Sequence, residues 1–375
     1  EEANPMADNP ISPRGRENTH PTEQNRRTSP HSPAANRPGR RRAHRGNGAT
    51  LKDIAELTGL SVSTVSRALS RNPVIPAPTR EIVEKAAAEL KYRPNAQARA
   101  LRNARTNIIG VLVPDIQNPF FSTLAASIHK AAYENGFSML LSHTDEKPDR
   151  LNRALEMLGR QRVDGIIVVP HIQSARATLE LHDSGMPIVA ADRLIPHSII
   201  PSVTADAVPG ITDALMALSA LPNAKIGYLA GPQDTSTGQE RLNLVKEISK
   251  EMGLEPPTIF FGGYQELAGF EGTIDLLEQG VNCILASDTM MTTGAVEALR
   301  EKNLKIGKHV ALVGYDDTQL FRLQNPPLSV IDQNVTLIGK KAFEMLYDYI
   351  TLEKAPKSMK IPSIYRGRGS TMLAP

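Results

Sequence analysis

From Ile108 onward, the sequence alternates apolar runs of strand length with amphipathic stretches of helix length. The apolar runs cover residues 108–113, 139–142, 165–169, 188–191, 226–230, 259–261, 283–286, 310–314 and 328–331. Strands that are apolar on both faces and separated by helices predict parallel sheets with helices on each side. About 220 residues of this pattern are enough for two doubly wound units. We therefore predict that residues 107–375 form an α/β domain of two parallel-sheet lobes.

A different pattern, two short helices joined by a glycine, occupies residues 50–69. Thr50 and Asp53 have the spacing of a capping box at the start of the first helix. Gly59 suits the left-handed residue that ends this helix, and Ser61 suits the N-cap of the second one. The outer face of the second helix carries small, polar and basic residues: Val62, Ser63, Ser66 and Arg67. Such a face fits the major groove, so the pattern predicts a helix-turn-helix that binds duplex DNA.

A third helix completes the predicted head. We expect Thr79 to be its N-cap, and its inward stripe to consist of Ile82, Val83, Ala86 and Leu90. The head then forms an all-α DNA-binding domain over residues 49–91, followed by a hinge helix and linker over residues 92–106. Residues 1–48 are rich in Pro, Asn, Arg, Ser and Gly, which predicts a disordered basic extension.

Charge is divided unevenly along the chain, although the formal net charge is only +3. Residues 1–106 contain 19 Lys and Arg against 10 Asp and Glu, a net charge of +9. The remainder holds 24 of the 43 basic residues and 30 of the 40 acidic ones, a net charge of −6. A basic head on an acidic body favours DNA binding by the head alone.

Several other classes of protein are disfavoured by the motifs that the sequence lacks. The one cysteine, Cys283, lies in an apolar run and is expected to be a buried thiol, so we predict no disulfide and no cysteine-rich zinc site. No apolar run is long enough to span a membrane and no signal peptide is evident, which favours a cytoplasmic protein. Phosphate-binding loops, zinc-protease motifs and nucleophile elbows are missing, so we expect neither an enzyme nor a cofactor. Three histidines without metal-ligand spacing are expected to be surface or core residues: His171, His182 and His197.

Taken together, the motifs of the head and of the body resemble those of the lactose-repressor family of bacterial transcription regulators. The segments that carry the resemblance are LKDIA at 51–55, Ser61 with TVSRAL at 64–69, YRPN at 92–95, ARALR at 98–102, NPFF at 118–121 and GYDD at 314–317. The resemblance extends from Ala49 to the C-terminus. It implies an effector domain that is similar to periplasmic sugar-binding proteins. It also implies a homodimer, with a tetramer left open, that binds a pseudo-palindromic operator.

By this resemblance, the second helix of the head is the recognition helix, with Val62, Ser63 and Arg67 facing base edges. Arg67 is expected to contact guanine in bidentate fashion, with a phosphate contact or a solvated helix end as the alternatives. Phosphate contacts are expected from Ser61, Thr64 and Asn72. The resemblance assigns further DNA contacts to Thr50, Tyr92, Asn95 and Arg99.

The resemblance also places Leu101 in a hinge helix that enters the minor groove beside its symmetry mate. An apolar wedge of this kind unstacks a base step and bends the duplex. The alternative is a helix–helix contact by Leu101. We expect Leu101→Ala to fold normally and to lose operator affinity.

Polar and aromatic residues follow the predicted strands at their carboxyl ends, where open α/β sheets bind ligands. We expect these ends to meet at one polar ligand between the lobes. The candidate effector-binding residues are Phe120, Phe121, Asp192, Arg193, Arg241, Asp288, Asp316 and Gln333. Aromatic faces pack against sugar rings, and charged groups bond adjacent hydroxyls. Two alternatives stay open: Asp192 and Asp316 could cap following segments, and Arg241 could pair with Glu240 or Asp234.

This residue set resembles that of the ribose-binding protein and of ribose-responsive repressors. Asp288 departs from it, since asparagine or aspartate occurs there in relatives. Thr235 stands where purine-responsive relatives usually have a basic residue. We therefore expect a repressor of sugar or nucleoside utilisation genes whose operator affinity is changed by ribose, a ribonucleoside or a phosphorylated pentose. The behaviour of sugar-responsive members implies release from DNA, and the sequence leaves the opposite sign open. The alternative is a periplasmic-type sugar-binding protein without a regulatory role.

Overall fold

The computed structural model describes residues 49–92 and 105–372. They belong to two compact units, one that ends at residue 93 and one that begins at residue 94. The predictions for Asn95, Arg99, Leu101 and the extension 1–48 lie outside the described residues. Among the helices that are described, none is both long and apolar enough to cross a lipid bilayer.

Three helices form the first unit: α1 (Leu51–Thr58), α2 (Val62–Leu69) and α3 (Ala77–Glu89). The capping box is present, because Asp53 N donates to Thr50 Oγ1 while Thr50 N donates to Asp53 Oδ2. Gly59 ends α1 with a left-handed φ of 67°. Ser61 Oγ caps α2 by accepting a hydrogen bond from Thr64 N at 3.1 Å. The predicted helix-turn-helix is therefore confirmed.

The third helix begins earlier than the sequence pattern indicated. Pro76 is its N-cap. Pro78 lies in the first turn, where a proline is favourable because its missing N–H would have no partner there in any helix. Thr79 consequently lies inside the helix and is not its cap. Ile82 is 56% exposed, so the predicted inward stripe was wrong at this residue. The residues of α3 that are buried in the core of the head are Val83, Ala86 and Ala87.

The second unit consists of two lobes. The strands of the first lobe are β1 (Ile108–Val113), β2 (Ser138–His143), β3 (Gly165–Val168), β4 (Ile188–Ala191), β5 (Ser202–Asp206) and β11 (Met359–Pro362). They form one parallel sheet in the order β11-β5-β4-β3-β1-β2. The helices are α4 (Pro119–Glu134), α5 (Pro148–Gln161), α6 (Ala175–Asp183) and α12 (Val335–Leu352).

The second lobe repeats this architecture. Its strands are β6 (Ile226–Ala230), β7 (Thr258–Phe261), β8 (Cys283–Ala286), β9 (Ala311–Tyr315), β10 (Ser329–Asp332) and β12 (Ile364–Arg366), in the order β12-β10-β9-β8-β6-β7. All neighbours are parallel except β10 and β12. The helices are α7 (Val208–Ser219), α8 (Ser236–Glu251), α9 (Glu266–Glu278), α10 (Thr289–Glu301) and α11 (Gln319–Arg322).

Both sheets are covered on both faces, as the apolar strands predicted. In β1, for example, Val111 and Val113 pack with α4 and α12 on one face, while Leu112 packs with α5 on the other. Two hydrophobic clusters flank the second sheet in the same way. The α/β fold with two doubly wound lobes is therefore confirmed.

The chain passes between the lobes three times: after β5, after β10, and between β11 and β12. Gly210, near the first crossing, lies against the other two. A Cβ atom at Gly210 would be 2.5 Å from Ile331 Cγ2 and 2.6 Å from Ser363 Oγ. Gly210 N donates to Ser363 Oγ at 3.2 Å, and that hydroxyl donates to Asp206 O at 2.7 Å. Only glycine allows the crossings to approach this closely.

Three strands were missed by the sequence pattern: β5, β11 and β12. The strand β5 reads Ser-Val-Thr-Ala-Asp, so its apolar residues are few, although most of it is buried. The strands β11 and β12 lie at sheet edges, are short and leave most of their residues exposed. Short, partly polar strands lack the continuous apolar run on which the prediction depended.

Candidate functional site

The outer face of α2 presents the residues that were predicted to face DNA bases. Val65 and Ala68 are buried in the core of the head, which turns Val62, Ser63 and Arg67 toward solvent. Val62 is 45% exposed although it is apolar, as a residue that contacts a thymine methyl group would be. Among the described residues, the Arg67 guanidinium has no partner.

The hydroxyl groups at the start of α2 are tied to one another. Ser61 Oγ lies 2.8 Å from both Ser63 Oγ and Thr64 Oγ1. Each hydroxyl can still accept or donate a further bond, and helix N-termini favour phosphate oxygens. This geometry supports the predicted phosphate contacts of Ser61 and Thr64.

The remaining predicted DNA contacts within the described part of the head also have structural roles. Thr50 caps α1. Asn72 Oδ1 accepts a hydrogen bond from Val74 N at 3.0 Å and so holds the turn after α2. Tyr92 packs against the core of the head. Their predicted contacts with DNA stay predictions.

All eight predicted effector-binding residues line one cavity between the two lobes. Asn118, Thr237 and Tyr264 complete the lining. The cavity measures about 20 Å³, which is room for about one water molecule. A sugar ring needs several times this volume, so its entry requires the lobes or the lining side chains to move.

A second cavity of about 420 Å³ adjoins the small one, and Phe120 and Asp316 line both. Its other walls come from the start of α4, from α11 and from the segment that joins β10 to α12. Together the two cavities have the size of an ordinary small-molecule site.

Phe120 and Phe121 reach the cavity because they lie in the first turn of α4. Asn118 caps this helix by accepting from Phe120 N at 3.0 Å. The two rings pack edge to face, with centroids 5.0 Å apart and an angle of 89° between their planes. The NPFF segment therefore presents aromatic rings toward the space between the lobes, as predicted.

Asp192 and Asp316 occupy equivalent positions in the two lobes. Each follows the strand next to the crossing region, and each has a left-handed φ of 65°. Asp192 N donates to Val203 O, and Asp316 N donates to Ile331 O, at 2.9 and 2.8 Å. A left-handed backbone is uncommon for residues other than glycine and often occurs at functional sites. Neither residue is a helix cap, so that alternative was wrong.

Arg241 is buried at the centre of a hydrogen-bond network. It donates to Ser287 O at 2.6 Å and to Gln333 Oε1 at 2.7 Å. Gln333 Nε2 donates to Asp316 Oδ1 at 2.8 Å. The guanidinium lies 4.2 Å from the ring centroid of Tyr315. The suggested pairing of Arg241 with Glu240 or Asp234 was wrong, because Arg241 donates to uncharged oxygens while Glu240 pairs with Lys360 at 2.8 Å.

Arg193 is held by a residue that the sequence analysis missed. Glu146, in the loop after β2, accepts hydrogen bonds from Arg193 Nη1 and Nη2 at 2.7 and 2.6 Å. The guanidinium also lies 5.7 Å from the ring centroids of Phe121 and Tyr264. Burial lowers the pKa of Arg193, but the hydrogen bonds and charge of Glu146 outweigh it, and the pKa lies above its ordinary value.

Asp288 is the N-cap of α10 and accepts from Met290 N and Met291 N. Asn118 Nδ2 also donates to Asp288 Oδ2, at 3.3 Å, and this bond joins the two lobes. Further bonds between the lobes run from Leu194 N to Ser236 Oγ, and from Lys360 Nζ to Glu240 Oε1. The lobes therefore lie in a closed arrangement.

Burial raises the pKa of the three carboxyl groups at the cavity, those of Asp192, Asp288 and Asp316. For Asp316 the pKa rises to about 7, although hydrogen bonds from Gln333 and Thr289 oppose the shift. The pKa of Arg241 is also raised, because Tyr315, Tyr264 and Asp192 favour the cation more than burial disfavours it. The cavity thus combines two cations, three carboxyl groups with raised pKa values and aromatic rings.

The cysteine, two of the histidines and Thr235 have structural surroundings. Cys283 is buried, and burial raises the pKa of its thiol to about 11, as expected of a core residue. His171 Nδ1 accepts from Gln173 N, and His182 Nε2 bonds the Tyr349 hydroxyl. Across residues 49–92 and 105–372, no group of three or more His, Cys, Asp or Glu could hold a metal ion. Thr235 caps α8 by accepting from Gly238 N.

Two family models match the chain. The model described as bacterial regulatory proteins of the lacI family matches residues 50–95. The model described as periplasmic binding proteins and sugar binding domain of the LacI family matches residues 106–368. The two models therefore cover the head and nearly all of the two-lobed unit.

Similar proteins include the ribose operon repressor of Escherichia coli K12, which is 29% identical over 341 residues, 86% of this chain and 99% of that protein. The HTH-type transcriptional repressor PurR of Haemophilus influenzae is 29% identical over 309 residues, 81% of this chain and 91% of that protein. The structure of the lac repressor dimer bound to operator and an anti-inducer matches with a TM-score of 0.79 and 28% identity, over 88% of this chain and 100% of that one. The chain belongs to the LacI family of bacterial regulatory proteins.

Proposed function

We propose that this protein is a DNA-binding repressor of genes for sugar or nucleoside utilisation, and that a pentose-type effector lowers its affinity for the operator. The effector class comprises ribose, ribonucleosides and phosphorylated pentoses. The protein acts by binding and not by catalysis.

One observation carries the effector assignment. Eight residues predicted from strand ends scattered over residues 120–333 line a single cavity between the lobes. The cavity pairs two buried guanidinium groups with three buried carboxyl groups and with aromatic rings. Adjacent sugar hydroxyls each donate and accept, so mixed charged partners fix their stereochemistry. The name of the ribose operon repressor among the relatives supports the same ligand class.

The head supports the assignment of duplex DNA as the partner. The exposed side of α2 carries Val62, Ser63 and Arg67, and the opposite side packs into the core. A single head of this size contacts few base pairs, so specificity requires two heads and a pseudo-palindromic operator. The operator-bound lac repressor dimer among the similar structures supports this arrangement.

Exposed apolar residues indicate where two copies associate. Leu140 and Leu141 on the edge strand β2 are 39% and 43% exposed, and Phe261 on the edge strand β7 is 59% exposed. Apolar residues on a sheet edge are unfavourable in a monomer and suit an interface. We infer a homodimer through these edges of the two lobes.

The effector controls DNA binding through its different affinities for the open and closed forms of the two lobes. The closed lobes are joined by few direct bonds, among them that between Asn118 and Asp288. A ligand that bonds residues of both lobes changes the balance between open and closed forms by its difference in affinity for the two. In a dimer this changes the separation of the first lobes, and with it the fit of the two heads to DNA.

The test is a titration of the dimer with a fluorescent duplex that carries the palindrome nearest its own gene, with and without ribose or uridine. We expect operator binding to weaken by about tenfold or more with at least one ligand, the usual size of an allosteric coupling. Galactitol serves as the control polyol. Unchanged operator affinity with both ligands contradicts the effector assignment, and no preference for any palindrome over random duplex contradicts the repressor assignment.

A further inference from the structure

The loop after β2 is built to hold Glu146 against Arg193. Thr144 N donates to Val113 O and Asp145 N donates to Pro114 O, at 3.0 and 2.7 Å, so the loop is fixed to the end of β1. Asp145 and Glu146 then adopt left-handed φ angles of 52° and 54° in succession. Two consecutive non-glycine residues in this region are unfavourable and persist only where surrounding contacts enforce them. In this conformation the Glu146 carboxylate reaches the buried Arg193 guanidinium, while the Glu146 side chain itself stays 38% exposed.

Glu146 pairs with Arg193 in bidentate fashion, and its bonds use two of the five N–H groups of the guanidinium. Both terminal nitrogens of the guanidinium donate to its two carboxylate oxygens. The remaining nitrogen, Nε, is buried without a hydrogen bond and lies 3.7 Å from Asp192 Oδ2. The Arg193 side chain is 2% exposed, so solvent does not compete for it. The Glu146 carboxylate therefore neutralises the charge of the buried Arg193 guanidinium.

Arg241 differs in its partners. Its terminal nitrogens donate to two uncharged oxygens, Ser287 O and Gln333 Oε1. No carboxylate in the described residues lies within ion-pair distance of it. The cavity thus has one cation that is paired directly and one that is not.

Carboxyl groups outnumber guanidinium groups around the cavity. Arg193 and Arg241 contribute two positive charges, and Asp192, Asp288 and Asp316 contribute up to three negative ones. Glu146 adds a fourth carboxylate behind Arg193. A phosphate group that enters this site would have to lose its hydration and would meet more carboxylates than guanidinium groups, whereas a neutral polyol only exchanges hydrogen bonds.

We propose that Glu146 makes the cleft selective for uncharged polyhydroxyl ligands and excludes phosphorylated ones. The proposal rests on the proposed function, since it concerns the ligand of the same cavity, and it narrows the effector class to free pentoses and nucleosides. Glu146 acts through Arg193, as a positioning residue that does not itself line the cavity.

Two substitutions separate the charge of Glu146 from its shape. Glu146→Gln keeps the length of the side chain and removes the charge, so Arg193 becomes available to an anion. Glu146→Asp keeps the charge and loses the bidentate geometry, so exclusion of anions is retained. Glu180→Gln is the matched control, because Glu180 also accepts a 2.7 Å bond from an arginine, Arg176, but on the exposed surface of α6.

The first measurement is the melting temperature of the full-length protein with increasing inorganic phosphate. A ligand that binds only the folded state stabilises it by RT ln(1 + c/Kd) at free ligand concentration c, so the melting temperature rises with ligand concentration. Phosphate bound at other sites should stabilise all four proteins alike. Beyond this common effect, we expect phosphate to stabilise Glu146→Gln more than the wild type, Glu146→Asp and Glu180→Gln. Equal stabilisation of all four proteins overturns the proposal.

The second measurement is calorimetric titration of the wild type with ribose and ribose 5-phosphate, and with uridine and its 5′-monophosphate. We expect the neutral member of a pair to bind at least about tenfold more tightly, and this preference to shrink in Glu146→Gln. Equal or tighter binding of the phosphorylated member by the wild type overturns the proposal even if the variant fails to fold. Absence of binding by all four compounds refutes the proposed effector class, and the phosphate measurement then still decides the role of Glu146.

Discussion

Arg241 and Gln333 are joined by a hydrogen bond of 2.7 Å between a helix of the second lobe and the segment through which the chain crosses back to the first. Gln333 follows β10 directly, and its amide also donates to Asp316. The guanidinium that is best placed to bind a ligand is therefore bonded to the crossing itself. A ligand that competes for this guanidinium changes the contacts of the segment that connects the lobes.

The first prediction is that Arg241→Lys abolishes most effector binding and leaves the fold intact. Lysine retains the charge but cannot donate to Ser287 O, Gln333 and a ligand at the same time, because it lacks the planar fork of arginine. Each charged hydrogen bond that is lost costs about 1.5–3 kcal/mol, which corresponds to roughly ten- to a hundredfold in affinity. Calorimetric titration with ribose measures the loss.

Arg176→Lys is the control for this prediction, since Arg176 is exposed on α6 and its one ion pair within the described residues is with Glu180. The control should bind ribose as the wild type does. Wild-type affinity in Arg241→Lys would remove Arg241 from the ligand site.

The convergence of the effector residues could be predicted from the sequence because parallel strands place their carboxyl ends at one edge of a sheet. Asp192 follows an apolar run directly, and Asp316 follows one after a single residue, Tyr315, so their positions near strand ends were evident. Glu146 was missed because it follows the edge strand β2, and its approach to Arg193 depends on two left-handed residues that no apolar pattern reveals. Tyr264 was missed because it lies in a loop, between β7 and α9.

Strands that are buried along their whole length could be predicted from the sequence, and strands that are mostly exposed could not. The strands β8 and β9 are buried along their whole length and appear as unbroken apolar runs. The strand β11 is exposed at three of four residues, so nothing in Met359–Pro362 indicates its pairing with β5. The early start of α3 depends on Pro78, whose preference for the first turn competed with the capping preference of Thr79.

The second prediction concerns pH. The pKa of Asp316 is about 7 in the folded protein and near 3.8 in the unfolded chain, because burial disfavours the carboxylate. Between these values the folded state binds more protons than the unfolded state, so the contribution of Asp316 to stability is full below about pH 4 and is lost as the pH rises through 7. Asp316→Asn mimics the protonated form. We expect it to melt above the wild type at pH 8 and to approach the wild type at pH 5.

Asp348→Asn is the control, because Asp348 is exposed on α12. Its melting temperature should follow that of the wild type from pH 5 to pH 8. A difference between Asp316→Asn and the wild type that is constant over this range would show that Asp316 does not titrate there.

The third prediction is that Gly210→Ala destabilises the two-lobed unit. The added Cβ would meet Ile331 Cγ2 and Ser363 Oγ at 2.5 and 2.6 Å, so the three crossings would have to separate. Overpacking of this kind costs about 1–3 kcal/mol. Urea denaturation gives the change in unfolding free energy, and Gly263→Ala, where the nearest atom lies 4.0 Å away, provides the control. Equal unfolding free energies of the two variants would mean that the three crossing segments can move apart without loss of stability.

The fourth prediction is that Arg67→Ala leaves the stability of the head within about 0.5 kcal/mol of the wild type, as for other exposed residues, and weakens operator binding. The loss should be about 1–3 kcal/mol if Arg67 contacts a guanine in bidentate fashion, and it should be confined to operators that carry that base pair. Fluorescence anisotropy with a set of single-base operator variants separates this from a phosphate contact, whose loss weakens all sequences equally. Lys85→Ala, an exposed basic residue on α3, controls for the general loss of positive charge. Only a base contact can make the loss depend on the operator sequence. Uniform weakening across the set, matched by Lys85→Ala, would therefore assign Arg67 to a contact with the phosphate backbone of the DNA.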